Sequence, residues 1–492
     1  MLRKLRVILA VLFWLGTTLL FLDFTGTVHS WLGWMARIQF LPAVMALNFG
    51  VIACLVVLTL LLGRIYCSVI CPLGVMQDAV ARLGLVGHRN RNKYSYSRPL
   101  TLLRYIFLAI MVVAIALGLG SVVALLAPYS TYGRIVATFL SPLYTTVNNL
   151  LALMAERMDS YAFYQHEVWF RGLPAMLAAG VAFVVISILA WRNGRTYCNT
   201  VCPVGTVLGF LSRFSLMAPV IDTSKCNGCG LCARRCKSSC IDSKAHYIDY
   251  SRCVACMDCI DNCHQGAISY TVRPRRRSVD SDTVGARRGF MAVAGAIAGS
   301  AVVRAGEKTV DGGLAVIADK KTPVRKTRIV PPGAVSLRNV ERRCTACQLC
   351  VSACPNGVLR PSSDMSVFLQ PESSYERGYC RPECTRCSEV CPSGAIAVIS
   401  REEKSSIQIG HAVWVKANCV PLTDGVECGN CARHCPVGAI TMVPSDPADE
   451  TSRKIPVVND ERCIGCGACE NLCPARPFSA IYVEGHENHR VI

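Results

Sequence analysis

Long apolar runs alternate with short basic loops over the first 220 residues, and there the pattern stops. The runs at residues 5–22, 41–62, 100–127 and 173–191 approach or exceed the roughly 20 residues that a helix needs to cross a bilayer core. A weaker run at 135–154 contains Pro142, Asn148 and Asn149 and reads as an interfacial or periplasmic helix. Lys and Arg concentrate in alternate loops. The N-terminus carries Arg3, Lys4 and Arg6, and Arg64, Arg82, Arg89, Arg91, Lys93 and Arg98 follow the second run. The loop after the first run offers only Arg37, and the loop at 128–172 balances its arginines against Glu156, Asp159 and Glu167. The bias puts both ends of a four-helix unit in the cytoplasm.

Composition sharpens this picture. A chain of 492 residues is too long for one ordinary domain. It is 52% hydrophobic and carries a formal charge of +19, with positive mean hydropathy. No basic run is interleaved with aromatics as an RNA-binding sheet requires, so the charge reads as positive-inside topology, with no nucleic-acid partner. The 30 cysteines are too many and too closely grouped for a disulfide framework, which belongs to short secreted chains. No Cys-x-x-Cys-His occurs, which argues against covalent haem.

The second and fourth runs end in the same sentence, GRIYCSVICPLG at 63–74 and GRTYCNTVCPVG at 194–205. Cys67 and Cys71, like Cys198 and Cys202, stand one helical turn apart, although the following proline starts a new turn. Two such pairs at one membrane depth point to a shared cluster, another metal or a quinone site between the repeats. Redox-active dithiols and inert structural thiols are the rival readings. Cys54, alone in mid-helix, reads as a small hydrophobe. His29, His166 and Glu167 lie near the opposite interface, where one of them is a candidate proton acceptor for a quinol and polar anchoring is the plainer role.

Six further groups have the spacing of iron–sulfur ligands. Two follow the last helix: Cys226, Cys229, Cys232, Cys236 and Cys253, Cys256, Cys259, Cys263. Four lie near the C-terminus: Cys344, Cys347, Cys350, Cys354; Cys380, Cys384, Cys387, Cys391; Cys419, Cys428, Cys431, Cys435; and Cys463, Cys466, Cys469, Cys473. Each is a triplet plus one, and the last four end in Cys-Pro, whereas zinc sites pair two Cys-x-x-Cys halves. About six [4Fe–4S] clusters are expected. In the first unit Cys263 completes the Cys226 triplet and Cys236 the Cys253 triplet, which leaves Cys240 as a free thiol or an alternative to Cys236. Residues 243–252 alternate enough for a short strand or hairpin.

Between the two cysteine-rich regions lie Arg287-Arg288-Gly-Phe-Met and an Ala-rich run at 290–303. This resembles a twin-arginine export signal placed internally, either kept as a fifth anchor or cut near Val316-Ile317-Ala318; the rival is a surface helix. The expected domains are a four-helix membrane domain (1–220), a cytoplasmic two-cluster ferredoxin domain (221–272), the signal-like segment (273–305), a linker (306–337) and a periplasmic four-cluster ferredoxin domain (338–492). The fold class is therefore an α-helical membrane unit joined to α+β ferredoxin-like domains.

These residues carry a family resemblance. Residues 1–272 resemble the NapH-type membrane quinol dehydrogenases of periplasmic nitrate reduction, with their two Cys-x-x-x-Cys-Pro sentences. Residues 285–492 resemble the NapG/MauM-type exported four-cluster ferredoxins, so two usually separate partners stand here head to tail. The resemblance implies that the outer groups of the last domain exchange fourth ligands, Cys473 completing the Cys344 triplet and Cys354 the Cys463 triplet. It implies likewise that Cys435 completes the Cys380 triplet and Cys391 the Cys419 triplet; exchange between sequence neighbours is the alternative. The implied function is electron transfer in a bacterial inner membrane, from the quinol pool to a periplasmic reductase, by a component that is not a stand-alone catalyst. The alternatives are a conduit between cytoplasmic ferredoxin and quinone or periplasm, and an assembly or regulatory role for a metalloenzyme.

Overall fold

In this computed structural model the described residues are 2–86, 94–160, 163–166, 168, 172–273 and 320–492. Apolar sequence becomes helix here because only a helix satisfies its own backbone where water is scarce. Among the described residues three helices are long and apolar enough to cross a membrane: Leu2–Leu22, Pro128–Glu156 and Leu173–Asn193. Phe49–Leu62 and Thr101–Leu117 are apolar but shorter. Two of the four expected spans are broken. The run at 41–62 divides at Leu47, which adopts φ 54°, and Asn48 caps the next helix by accepting from Val51 N. The run at 100–127 divides at Gly118, with φ 74°, a left-handed conformation that suits glycine.

The run at 135–154 corrects the interfacial reading. A five-residue π-helical stretch at Val136–Leu140 joins it to Pro128–Ile135 as one long helix. Pro142 lies inside this long helix, two residues past the π-helical stretch, whose irregular hydrogen bonding accommodates a residue without an N–H. Asn148 and Asn149 point their amides at Tyr164 O and His166 O, both at 2.7 Å, and so fold the following loop back. Leu5, Ile8, Leu12, Leu102, Val113 and Val181 are exposed on the outer faces of the bundle. An apolar surface of this extent suits lipid.

Short two-stranded sheets build the cysteine-rich parts. Met217–Ile221 pairs antiparallel with Ile268–Val272, and the expected hairpin forms from Ile241–Asp242 and Tyr247–Ile248. In the C-terminal part Ile407–Trp414 pairs with Ile481–Val491. Residues 320–337, read from sequence as linker, pack onto that part: Arg325 Nε donates to Val483 O at 2.8 Å, and Ile329 and Val330 are buried. The signal-like segment 273–305 lies outside the described residues but for Arg273.

The two cysteine-rich parts meet opposite ends of Leu2–Leu22, a helix of 21 residues and so roughly 30 Å long. At its start Arg3 ion-pairs with Asp258 at 2.9 Å and Asp261 at 3.0 Å. Just past its end Phe24 O accepts from Arg386 Nη1 at 2.7 Å. Ser121 adds bonds to Met365 O and Ser366 O at that same end.

Candidate functional site

Every shared residue of the two repeated sentences has a place in one site. Gly63 and Gly194 end the apolar helices with φ near 67° and 66°. The arginine that follows each then crosses to the other repeat. Arg195 Nη1 donates to Cys67 O at 2.8 Å, and Arg64 Nη2 donates to Cys198 O at 3.3 Å. Both guanidinium groups are fully buried. The closing glycines make the crossing feasible: a Cβ on Gly74 would strike Cys67 O and Arg195, and one on Gly205 would strike Cys198 O and Arg64. Pro203 opens a helix at Pro203–Leu211, as the proline rule anticipates.

This exchange brings Cys67, Cys71, Cys198 and Cys202 into one buried core. Cys198 Sγ accepts from Gln77 Nε2 at 3.3 Å, and Cys202 Sγ from Gly205 N at 3.4 Å. Arg64 Nη2 lies 3.8 Å from Cys67 Sγ, and Arg195 Nη1 3.9 Å from Cys198 Sγ. Arg195 Nη2 and Arg64 Nε are buried with no hydrogen-bond partner. Four thiols under two cationic side chains with unspent donors fit an anionic iron–sulfur cluster, whose sulfurs accept such bonds.

The guanidinium of Arg195 is anchored from behind. Its Nε donates to Asp78 at 2.7 Å, and Asp78 also pairs with Arg6 and, at 2.8 Å, with Lys237. Lys237 bridges on to Asp258 at 3.0 Å. Burial alone would raise the Asp78 carboxyl pKa, but Arg195, Lys237 and Arg6 hold it well below the usual range.

In the first ferredoxin unit Cys226, Cys229, Cys232 and Cys263 line one cavity of about 250 Å³. Cys253, Cys256, Cys259, Cys236 and Cys240 line another. The expected exchange of fourth cysteines is what brings each set together. Cys240 Sγ lies 3.5 Å from Cys236 Sγ; Cys236 neighbours Cys256 and Cys259, and Cys240 neighbours Cys253, so both stand at this site.

The C-terminal pairing implied by the resemblance is overturned. Cys391 lies within electrostatic reach of Cys344, Cys347 and Cys350, and Cys354 of Cys380 and Cys387. Cys473 lines a cavity with Cys419, Cys428 and Cys431, while Cys435 neighbours Cys463, Cys466 and Cys469. Neighbouring groups exchange, because the chain folds each successive pair back on itself. Among the described residues no three His, Cys, Asp or Glu side chains converge on a single-ion site. A cubane asks for something wider, one thiolate at each iron. Cys473→Ser is therefore expected to alter the spectrum of the Cys419–Cys431 site and leave the Cys344–Cys350 site unchanged. Site-resolved EPR of the reduced protein checks this, and the opposite pattern restores the outer pairing.

The thiol groups form a series. Val254, beside Cys253, shares the apolar core of the four repeat cysteines, and that core continues to Cys347 and Cys350. The Cys380 group then meets the Cys463 group, where Cys380 N donates to Cys466 O at 2.9 Å. Of the interfacial groups named earlier, His29 N donates to Asp23 Oδ2 at 2.9 Å, and the His166 ring lies 4.2 Å from that of Phe24. Both stand at the end of the bundle that the C-terminal part covers. Glu167 lies outside the described residues. Cys54 is exposed on its helix, as a small hydrophobe facing lipid would be.

Known families match at these same places. A 4Fe-4S binding domain matches residues 44–93 and 173–218, the two repeats, and another 4Fe-4S binding domain matches 219–242. 4Fe-4S dicluster domains match residues 343–396 and 426–476, in agreement with exchange between neighbours. Among curated relatives, the methylamine utilization ferredoxin-type protein MauM of Paracoccus denitrificans is 30% identical over 170 residues, 32% of this chain and 73% of its own length. The ferredoxin-type protein NapG of Escherichia coli is 32% identical over 156 residues, 30% of this chain and 66% of its own. The putative electron transport protein YccM of Escherichia coli is 22% identical over 225 residues, 45% of this chain and 55% of its own. The chain thus spans less than two thirds of the length of the last two. No solved structure matches. The protein is an iron–sulfur electron-transfer protein with several [4Fe–4S] clusters. By the extent of its match to MauM, the chain belongs to the family of methylamine utilization ferredoxin-type proteins.

Proposed function

We propose that the chain conducts electrons across a bacterial inner membrane through seven cluster sites held by one polypeptide. The ferredoxin unit at 221–272 faces the cytoplasm, the repeat cysteines carry the middle site, and the four C-terminal sites deliver to a periplasmic reductase or carrier. The observation that carries this reading is the single apolar core containing Val254, all four repeat cysteines, Cys347 and Cys350. Bound clusters supply one-electron transfer; the protein sets their spacing, burial and potential. The bundle's exposed apolar faces support a lipid setting for the middle site, where quinol dissolves, and so favour quinol as a second electron source.

The test uses the full chain reconstituted in liposomes. Iron analysis is expected to give about 28 irons per chain, four for each of seven cubanes. A reductant that cannot cross the membrane, presented on the side of 221–272, is expected to reduce the C-terminal clusters. If only the first two clusters respond, the conduit is wrong. If quinol alone reduces the whole series, the donor is quinol. Electron transfer unaffected by either donor leaves the assembly or regulatory role.

A further inference from the structure

Arg134 is buried between the repeat site and the C-terminal part, with 1% of its surface exposed. It lies in Pro128–Ile135, within one of the helices long enough to cross a membrane. Its partners are neutral: Nη1 donates to Ala124 O at 2.7 Å and Nη2 to Thr131 Oγ1 at 3.1 Å. Its Nε has no hydrogen-bond partner. Among the described residues no carboxylate forms an ion pair with it, whereas buried Arg195 has Asp78. The ionisable groups within its reach are Tyr197 on one side and Cys347 on the other. Tyr197 in turn stands against Cys198 and Cys202.

A guanidinium buried without a counter-charge is strongly disfavoured, and one kept at membrane depth is commonly functional. A cubane held by four thiolates is a net anion, and two such sites flank this side chain. We infer that Arg134 is the shared counter-charge of the repeat site and the Cys344–Cys347–Cys350–Cys391 site. Its fixed positive charge stabilises the extra electron on either of them. It is a positioning residue: it holds the two potentials up and close together at the one step that joins the bundle to the C-terminal part. Gly133 next to it supports the same contact, since a Cβ there would strike Phe21 and Cys347 O.

This inference rests on the proposed cluster at the repeats, and redox titration followed by EPR separates the two. If the unmodified protein has no signal that depends on Cys67, Cys71, Cys198 and Cys202, the conduit reading fails before any Arg134 variant is made. If that signal is present, Arg134→Gln is expected to shift the midpoint potentials of both flanking sites to more negative values. Iron content and the potentials of the Cys226 and Cys253 sites should be unchanged. Arg134→Lys should keep both potentials near those of the unmodified protein. Unmoved potentials in Arg134→Gln overturn the inference. Should Arg134→Gln lose iron, Arg134→Lys decides: retained iron and potentials uphold the counter-charge, and loss in both variants makes Arg134 a packing residue only.

Discussion

Serine in place of any one of Cys67, Cys71, Cys198 or Cys202 is expected to stop electrons from reaching the C-terminal clusters while the first ferredoxin unit is still reduced normally. The four thiols come from two repeats but occupy one core, so on the proposed reading each is a quarter of one ligand set. Loss of one thiolate leaves an iron without its ligand, and about four irons per chain should disappear with it. All four variants should lose the same spectroscopic signal. Iron analysis with stopped-flow reduction checks this. Unchanged iron in every variant makes the thiols structural, and loss confined to one pair makes them separate dithiols.

Asp78→Asn is expected to destabilise the protein by about 3–5 kcal/mol, the usual consequence of leaving a buried charge unmatched. Asp78 meets Arg6, Arg195 and Lys237 together. The substitution keeps the shape and strands Arg6 and Arg195, while Lys237 keeps its bridge to Asp258. Denaturant unfolding in detergent measures the loss. The repeat signal should weaken as well, because Arg195 reaches Cys67 O from this anchor. The pH dependence has a definite sign. The Asp78 carboxyl is held low when folded, so its contribution is present above the unfolded value of about 3.9 and is lost only as pH falls through the lower folded value. Between about pH 5 and 8 this network should not change the unfolding free energy.

The triplets of cysteine were legible because a cubane draws three ligands from one short loop, so spacing alone betrays them. The fourth ligand is a matter of topology. Every C-terminal group ends in Cys-Pro, so nothing local distinguishes Cys391 from Cys473 as the partner of Cys344. The resemblance pointed to the outer pairing, and the chain folds the other way. Helix lengths failed for a similar reason. Pro142, Asn148 and Asn149 look like breakers, yet the proline follows a π-helical stretch that accommodates it and the amides find loop carbonyls. Leu47 breaks an apolar run with no glycine or proline at the break itself. The repeated Gly-Arg-Tyr-Cys sentence was visible, but the crossing of Arg64 and Arg195 is not, since either could have served its own loop.

That crossing has a consequence for how the protein is made. Each half of the repeat lends an arginine to the other, and neither half holds more than two of the four thiols. The middle site cannot exist while only the first hairpin has left the ribosome. It can close only after residue 205 is synthesised and Leu173–Asn193 has settled beside its counterpart. On the proposed reading, cluster loading there follows synthesis of the second sentence, so a chain stalled or truncated before it would keep Arg64 and two thiols unclaimed.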